Sequence, residues 1–401
     1  MSDKPDCKYG TKCYRTREDH LQKYQHPDPG KRETSDDDQV EEGQSSKRQK
    51  VDETLQEKGD TPTTNDGAEP TDTGKTGGSI DSEASPSTPP GLDIKEELRL
   101  KFKVEMPQDF FDFWDYCKSV NPSDPCGALE TVAGLRLGGP FDVMAGNLKP
   151  MEGQKPNYFL HHRHFYDPPE FQTVLLGDAK TQHHLGYYRD EPQKVPVFVA
   201  SNSAKEGCVI SPQGENLFGA VKSHIDKLAR QTKDKGRLEA LKKTEKSLTE
   251  WAKKCGHPLE ARTKAMKERD KNVVTKTFHK AGIVVPLDST GVGYRELPET
   301  DATLKKILKK IVETDNEQEK ARYSDSLQEI ITLVQFANDE CDYGQGYELG
   351  IDLFSFGHKS FHPTVSMLLS VAYLLLGRGE FDEILEAHLK QREEDKVCTA
   401  L

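Results

Sequence analysis

The sequence is poor in apolar residues. Only 33% of its 401 residues are hydrophobic and 8% are aromatic, whereas 31% are charged. A chain of this composition cannot bury all of its length, so we expect one part to be disordered and the apolar residues to be concentrated elsewhere. The length predicts two or three domains.

Long hydrophobic runs and paired cysteines are also lacking. The longest apolar run, Val365 to Leu376, is about half of the ~20 residues that cross a bilayer. The N-terminus is polar and does not resemble a secretory signal. The eight cysteines are scattered, and only Cys7 and Cys13 belong to an evident motif, which favours a reducing compartment and one metal site over a disulfide scaffold. These absences predict a soluble, intracellular protein with no membrane contact.

The usual signatures of a self-contained enzyme are missing as well. The sequence contains no Walker loop, dinucleotide fingerprint, kinase motif or evident nucleophile–base pair. Its net charge of -12 argues against a nucleic-acid surface that extends over the whole chain. The residues alone therefore do not indicate an enzyme.

Four metal-ligand residues are closely spaced near the N-terminus. Cys7, Cys13, His20 and His26 form the pattern C-x5-C-x6-H-x5-H. Two thiolates and two imidazoles complete a tetrahedral zinc shell with no open position. A segment this short obtains its folding energy from the metal, so residues 1–30 are predicted to be a small Cys2His2 zinc finger. The alternative is a chance grouping in a disordered tail.

Two aromatic residues and an arginine lie between these ligands. Tyr9, Tyr14 and Arg15 are suited to stacking on a base and holding a phosphate. The Y-G-x-x-C-Y-R core and its spacing resemble the poly(ADP-ribose)-binding zinc finger family. The resemblance implies that the four ligands bind zinc and that Tyr9, Tyr14 and Arg15 bind ADP-ribose. Thr16-Arg17-Glu18 departs from the family's Lys-Asn-Pro-like stretch.

Residues 31–91 are rich in Ser, Thr, Asp, Glu, Gly and Pro and are predicted to be a disordered acidic linker. One basic cluster interrupts this composition at Lys47, Arg48 and Lys50, with Lys31 and Arg32 upstream. Such clusters are typical of nuclear import signals, although they also occur as solvated charge. We therefore expect the protein in the nucleus.

The folded part is predicted to have an α+β class with two domains. Residues 92–232 should combine helices with an antiparallel sheet, and residues 233–401 should be mainly α-helical. The helix Glu215–Ala229 should follow the sheet. The basic helices in residues 233–272 are either solvated or directed towards DNA, histone-bound nucleic acid or an acidic surface of a partner protein. The prediction of the sheet rests on four short strand-like segments bounded by turn residues, namely 170–178, 183–190, 196–200 and 208–212.

Five histidines lie in or before these strands, namely His161, His162, His164, His183 and His184. Acidic partners at a suitable spacing are not evident. We therefore expect the histidines to fill a half-buried face and not to hold a second metal.

Three carboxylates follow an amphipathic helix in the second half. Asp339, Glu340 and Asp342 lie at or beyond its C-terminus, with Gly344 as the expected stop. The helix dipole disfavours anions there by about 0.3–1 kcal/mol each, and no basic residue lies among them. A local arrangement that breaks a local rule suggests function, although an acidic surface loop capped by distant basic groups is the simpler interpretation.

Long segments of the folded part resemble the histone PARylation factor family. They are M-P-Q-D-F-F-D-F-W, F-Y-D-P-P-E-F-Q-T, R-D-K-N-V-V-T-K-T-F-H, V-G-Y-R-E-L-P-E-T-D and Q-F-A-N-D-E-C-D-Y-G, within residues 94–395. The resemblance implies an accessory factor, inactive alone, that joins a DNA-damage-activated poly(ADP-ribose) polymerase. The polymerase binds NAD+, and the pair modifies serine on histones and other proteins.

The same resemblance assigns roles to single residues. It implies that Glu340 completes the polymerase active site as a general base, and that Asp339 and Arg295 bind the polymerase. Tyr294 and Asp342 are added as neighbours. We expect a monomer that contacts DNA at most indirectly. The alternative function is a non-catalytic poly(ADP-ribose) reader or scaffold recruited to DNA damage.

Overall fold

The computed structural model describes residues 93–149 and 154–401. The predicted zinc finger at 1–30 and the predicted linker at 31–91 lie outside the described residues. None of the helices in the described ranges is long and apolar enough to cross a membrane.

Short helices precede the sheet. The helix Gln108–Val120 carries Phe110 and Phe113, which are fully buried, and the Phe110 ring stacks on Phe141 of the helix Pro140–Met144 with centroids 4.0 Å apart. This aromatic face joins the first helices to the core. The helices are α1 (Ile94–Phe102), α2 (Gln108–Val120), α3 (Glu130–Ala133) and α4 (Pro140–Met144), with 3-10 turns at Pro125–Gly127 and Tyr158–Leu160.

The sheet is an antiparallel meander in the order β1-β2-β3-β4-β5, as predicted. Its strands are β1 (Arg136–Leu137), β2 (Phe171–Leu176), β3 (His183–Tyr188), β4 (Phe198–Ser203) and β5 (Ser211–Gly214). Two details differ from the prediction. The run at 208–212 becomes a strand only from Ser211, because the side-chain amide of Asn202 in β4 donates hydrogen bonds to the carbonyls of Gly207 and Val209 and holds that stretch in an irregular conformation. The two-residue β1 was too short to be predicted.

The rest of the described chain is mainly helical, which confirms the prediction for the second half. A two-stranded antiparallel hairpin of β6 and β7 interrupts the helices. The elements are α5 (Leu217–Gln231), α6 (Lys235–Cys255), α7 (Lys264–Lys271), β6 (Val273–Thr275), β7 (Ile283–Val284), α8 (Asp301–Glu313), α9 (Glu317–Asp339), α10 (Tyr343–Phe356), a 3-10 turn (Lys359–Phe361), α11 (His362–Leu375) and α12 (Gly379–Gln391).

One hydrophobic cluster includes residues from both predicted halves. It contains Phe113 of α2 and Leu185 of β3 as well as Ile331 of α9 and Leu369 of α11. The predicted boundary between residues 232 and 233 stays a prediction. Within this core α9 buries the face expected from its periodicity, Leu327, Ile330, Ile331, Val334 and Ala337. That burial fixes where the helix ends and hence where the acidic turn lies.

Candidate functional site

The acidic turn lies between α9 and α10. Helix α9 ends with Cys341 in the left-handed conformation, at a φ of 66°. The Asp342 N–H donates to the Ala337 carbonyl at 2.8 Å, and the Cys341 N–H donates to the Asn338 carbonyl at 3.0 Å. This pair of bonds is a Schellman cap, which satisfies carbonyls that the helix end would otherwise leave free.

The prediction that Gly344 stops the helix is wrong. The stop is Cys341, and Gly344 lies within α10. Gly344 is required there for a close approach, because a Cβ at this position would lie 3.0 Å from the Gly293 carbonyl oxygen and 3.0 Å from the Tyr294 ring. The Gly344 N–H donates to that same oxygen at 2.8 Å. The loop that carries Gly293, Tyr294 and Arg295 therefore packs directly against the start of α10.

A distant arginine offsets the charge of the acidic turn. Arg295 forms ion pairs with Glu340 and with Asp342, the latter at 2.9 Å between Nη2 and Oδ2. No basic residue lies among the carboxylates in the sequence, and their partner comes from another loop, as in the simpler interpretation of an acidic loop capped by a distant basic group. The Glu340 side chain is 58% exposed and that of Asp342 only 9%. Glu340 is thus open to a partner, whereas Asp342 is a buried anchor.

Asp342 also fixes the backbone of the neighbouring loop. Its Oδ1 accepts a hydrogen bond from the Gly293 N–H at 3.0 Å, while its Oδ2 contacts Arg295. One buried carboxylate therefore holds both the loop and the guanidinium beside Glu340. Hydrogen bonds in which one group is ionised are stronger than neutral ones, so this contact orders the site.

Tyr294 is turned towards the interior. Its hydroxyl donates to Glu348 Oε2 at 3.0 Å, and Thr275 Oγ1 donates to Oε1 of the same carboxyl at 2.9 Å. Burial raises the pKa of Glu348 to about 7, and burial also raises the pKa of Tyr294. Sequence reasoning missed Glu348, because a glutamate inside a helix gives no signal of the tyrosine that it contacts.

Asp339 lies in the last turn of α9 and is exposed. Within residues 93–149 and 154–401, no side chain pairs with it. The structure therefore brings together Tyr294, Arg295, Glu340 and Asp342, and leaves Asp339 beside them as a free anion. On such a surface one carboxylate can accept a proton from a reacting group, and the other charged side chains can contact a partner protein.

The metal-binding and ADP-ribose-binding residues predicted near the N-terminus cannot be placed. They lie outside the described residues: Cys7, Tyr9, Cys13, Tyr14, Arg15, His20 and His26.

The expectation that the histidines lack acidic partners is wrong. Asp142 lies beside His161 and His162, and Asp167 lies beside His164 and His184. Asp167 follows His164 by three residues, a spacing that the sequence does show. Asp142 belongs to α4, and its proximity depends on the tertiary fold.

Comparison with known proteins supports both resemblances. The family model for histone PARylation factor 1 matches residues 93–392, and the model for the PBZ domain matches residues 4–29. Histone PARylation factor 1 of Danio rerio is 50% identical over 307 residues, which is 77% of this chain and 88% of the relative. The Mus musculus protein of the same name is 48% identical over 308 residues, 76% of this chain and 88% of the relative. The PBZ match confirms the zinc-finger segment at the N-terminus.

Proposed function

Because the chain belongs to the histone PARylation factor 1 family, we propose that it binds a DNA-damage-activated poly(ADP-ribose) polymerase and supplies Glu340 to the polymerase active site. The exposure of Glu340 at a rigid helix end supports this proposal most directly. The chain alone is not the enzyme, and NAD+ is bound by the polymerase.

The chemistry needs a base because a serine hydroxyl is a weak nucleophile. The serine oxygen attacks C1″ of NAD+, a new C–O bond forms, and the bond from C1″ to nicotinamide breaks. The hydroxyl proton passes to the Glu340 carboxylate. A positioned base of this kind contributes typically about 10²–10⁴-fold to a rate.

The charges around Glu340 supply the contact with the polymerase. Asp339 is exposed and has no partner among the described side chains, so it can face a basic group of the polymerase. Arg295 is 42% exposed and can contact the polymerase while Asp342 holds it in place. The buried contacts of Tyr294 and Asp342 hold the loop that carries Arg295 in place.

The N-terminal PBZ domain holds the factor on poly(ADP-ribose). The two thiolates of Cys7 and Cys13 and the two imidazoles of His20 and His26 fit zinc, which supplies the folding energy of so short a segment. Tyr9, Tyr14 and Arg15 bind ADP-ribose. Attachment to chains already made raises the local concentration of the catalytic surface. The factor acts on histones in the nucleus, on chromosomes at sites of DNA damage.

An assay of serine modification tests the catalytic role. It combines the full chain with a DNA-activated polymerase, NAD+ and a histone tail peptide, and serine linkage is read by mass spectrometry. Glu340→Gln should lower the rate of serine modification by at least about 100-fold while its Kd for the polymerase stays within about threefold. Glu317→Gln, an exposed glutamate at the other end of α9, is the control and should behave as wild type. Equal serine modification by Glu340→Gln and wild type would favour a non-catalytic reader.

The role of the finger is separable from that of Glu340. Tyr14→Ala and Arg15→Ala should weaken binding to poly(ADP-ribose) chains and leave serine modification of short peptides unchanged. If the two activities fall together, the finger and the catalytic surface do not act independently.

A further inference from the structure

A second group of metal-ligand side chains lies far along the sequence from the finger. Asp142, His161 and His162, here the Asp142 cluster, place three ligand atoms within 4.8 Å of one another. The Nε2 atoms of His161 and His162 lie 2.9 and 3.2 Å from the same atom, Asp142 Oδ2. Two imidazoles of one short segment therefore converge on a single carboxylate oxygen.

These separations are close to those of a metal shell. In a tetrahedral zinc site with bonds of about 2.0–2.1 Å, neighbouring ligand atoms lie about 3.3 Å apart. The rings of His161 and His162 are inclined at 49°, with centroids 4.1 Å apart. Because their planes intersect, both Nε2 lone pairs can point at one ion placed between the rings and the carboxylate.

The local backbone at the cluster is unusual. His162 has a φ of 57°, a conformation that non-glycine residues rarely adopt, and its Nε2 lies beside the same Asp142 oxygen as that of His161. Asn147 donates from Nδ2 to Asp142 Oδ1 at 3.1 Å, which holds that oxygen and leaves Oδ2 to the histidines. Partners of this kind orient metal-binding carboxylates in many proteins.

The other histidine–aspartate group lacks this geometry. The rings of His164 and His184 are stacked with centroids 3.6 Å apart and an angle of 2°, so their lone pairs lie in separate parallel planes. They cannot both reach an ion at about 2.1 Å. Besides His184 Nε2, the Asp167 carboxylate accepts hydrogen bonds from the backbone N–H of His164 and from the Thr173 hydroxyl. That group is a buried hydrogen-bond network.

We propose that Asp142, His161 and His162 bind a zinc ion. Two imidazoles and a carboxylate are a ligand set that zinc accepts, and three protein ligands leave a fourth position for water. The His162 side chain is 25% exposed, which gives the ion a path from solvent. The ion joins helix α4 to the segment that leads into the sheet, and it is independent of the zinc in the finger.

Zinc stoichiometry of the full chain tests the proposal. Purified protein should contain two zinc ions per chain, one in the finger and one in the Asp142 cluster. Asp142→Asn, which preserves the shape of the side chain, should reduce this to one and weaken the second site by more than about 100-fold. Cys7→Ser with Cys13→Ser should also leave one ion, and the three substitutions together should leave none. His183→Ala, at a half-buried histidine outside the cluster, is the control and should keep two.

Two further measurements use the variant without finger cysteines. Added zinc should raise its Tm, and Asp142→Asn should abolish that rise. Cobalt bound in place of zinc should show d–d bands without a thiolate charge-transfer band, because the cluster contains no cysteine. A stoichiometry that Asp142→Asn does not change, or no zinc-dependent rise in Tm, would overturn the proposal even if the finger binds zinc as expected.

Discussion

Arg295 Nη2 lies 2.9 Å from Asp342 Oδ2, and this ion pair joins the loop before α8 to the turn between α9 and α10. Asp342 is the buried member, and its second oxygen holds the Gly293 backbone. Arg295 in turn contacts Glu340, the exposed carboxylate proposed as the base. The position of Glu340 relative to its neighbours therefore depends on a residue that is almost fully buried.

Substitution of Asp342 separates its two roles. Asp342→Ala removes both contacts and leaves the Gly293 N–H without its acceptor, so we expect a loss of about 1–3 kcal/mol in the free energy of unfolding. Asp342→Asn keeps a carbonyl oxygen for Gly293 and loses only the charge beside Arg295. It should unfold close to wild type yet bind the polymerase about tenfold more weakly. Urea unfolding and a binding titration measure the two effects, and wild-type values for Asp342→Ala in both would contradict this role.

Gly344→Ala tests the close approach between α10 and the Arg295 loop. The added Cβ would lie 3.0 Å from the Gly293 carbonyl oxygen, which is tighter than ordinary contact. Although alanine is the better helix former by about 1 kcal/mol, we expect a net destabilisation of about 1–3 kcal/mol and reduced serine modification.

Gly379→Ala is the matched control for this substitution. Gly379 is the first residue of α12, and a Cβ there meets nothing within 4 Å. It should be neutral or stabilising when the Tm of both glycine variants is measured by thermal unfolding. If both glycine variants change the Tm by the same amount, the close approach at Gly344 does not contribute to the stability difference.

These two glycines show where sequence reasoning reaches its limit. Periodicity located the buried face of α9 and the strands β2, β3 and β4, because burial of one face imposes a local pattern. The helix stop was misplaced because glycine is the usual left-handed residue, whereas here Cys341 adopts that conformation. Gly344 is a glycine for a different reason, namely the backbone that packs on it. Contacts between distant segments leave no trace in a local pattern.

The same limit applies to the charged groups. The helix-dipole rule marks the acidic turn as a candidate site, and the roles that the family resemblance implies for its residues stay predictions. Its balancing charge, Arg295, comes from a separate loop. Asp142 likewise reaches His161 and His162 only through the packing of α4. Spacing along the chain shows which residues can act as ligands, and the fold decides which of them meet.

Replacement of Cys341 with glycine should stabilise the protein. Cys341 has a φ of 66°, where a side chain crowds the following carbonyl and glycine does not. We expect the free energy of unfolding of Cys341→Gly to rise by up to about 1 kcal/mol. Cys255→Gly is the control, since Cys255 is also exposed but is the last residue of α6 with a helical backbone, and it should show no gain. A gain of the same size in both variants would show that loss of the thiol, and not relief of strain, is the cause.

The stability of the protein should depend on pH through Glu348. Burial raises the pKa of this carboxyl from its ordinary value of 4.5 to about 7, so the folded state retains a proton that the unfolded state has lost. The stabilisation is complete below pH 4.5 and is lost as the pH rises through 7. The shift corresponds to at most about 3 kcal/mol.

Glu348→Gln isolates this contribution. Glutamine keeps an oxygen for the Tyr294 hydroxyl but cannot titrate. As the pH rises from about 5 to 8, the free energy of unfolding of wild type should therefore fall relative to that of the variant. The comparison is needed because Asp352, one turn further along α10, also has a pKa raised by burial and adds its own dependence to both proteins. Urea unfolding at several pH values gives the difference. If it is constant across the range, Glu348 does not gain its proton on folding, and the hydroxyl of Tyr294 is held by a carboxylate that is charged throughout.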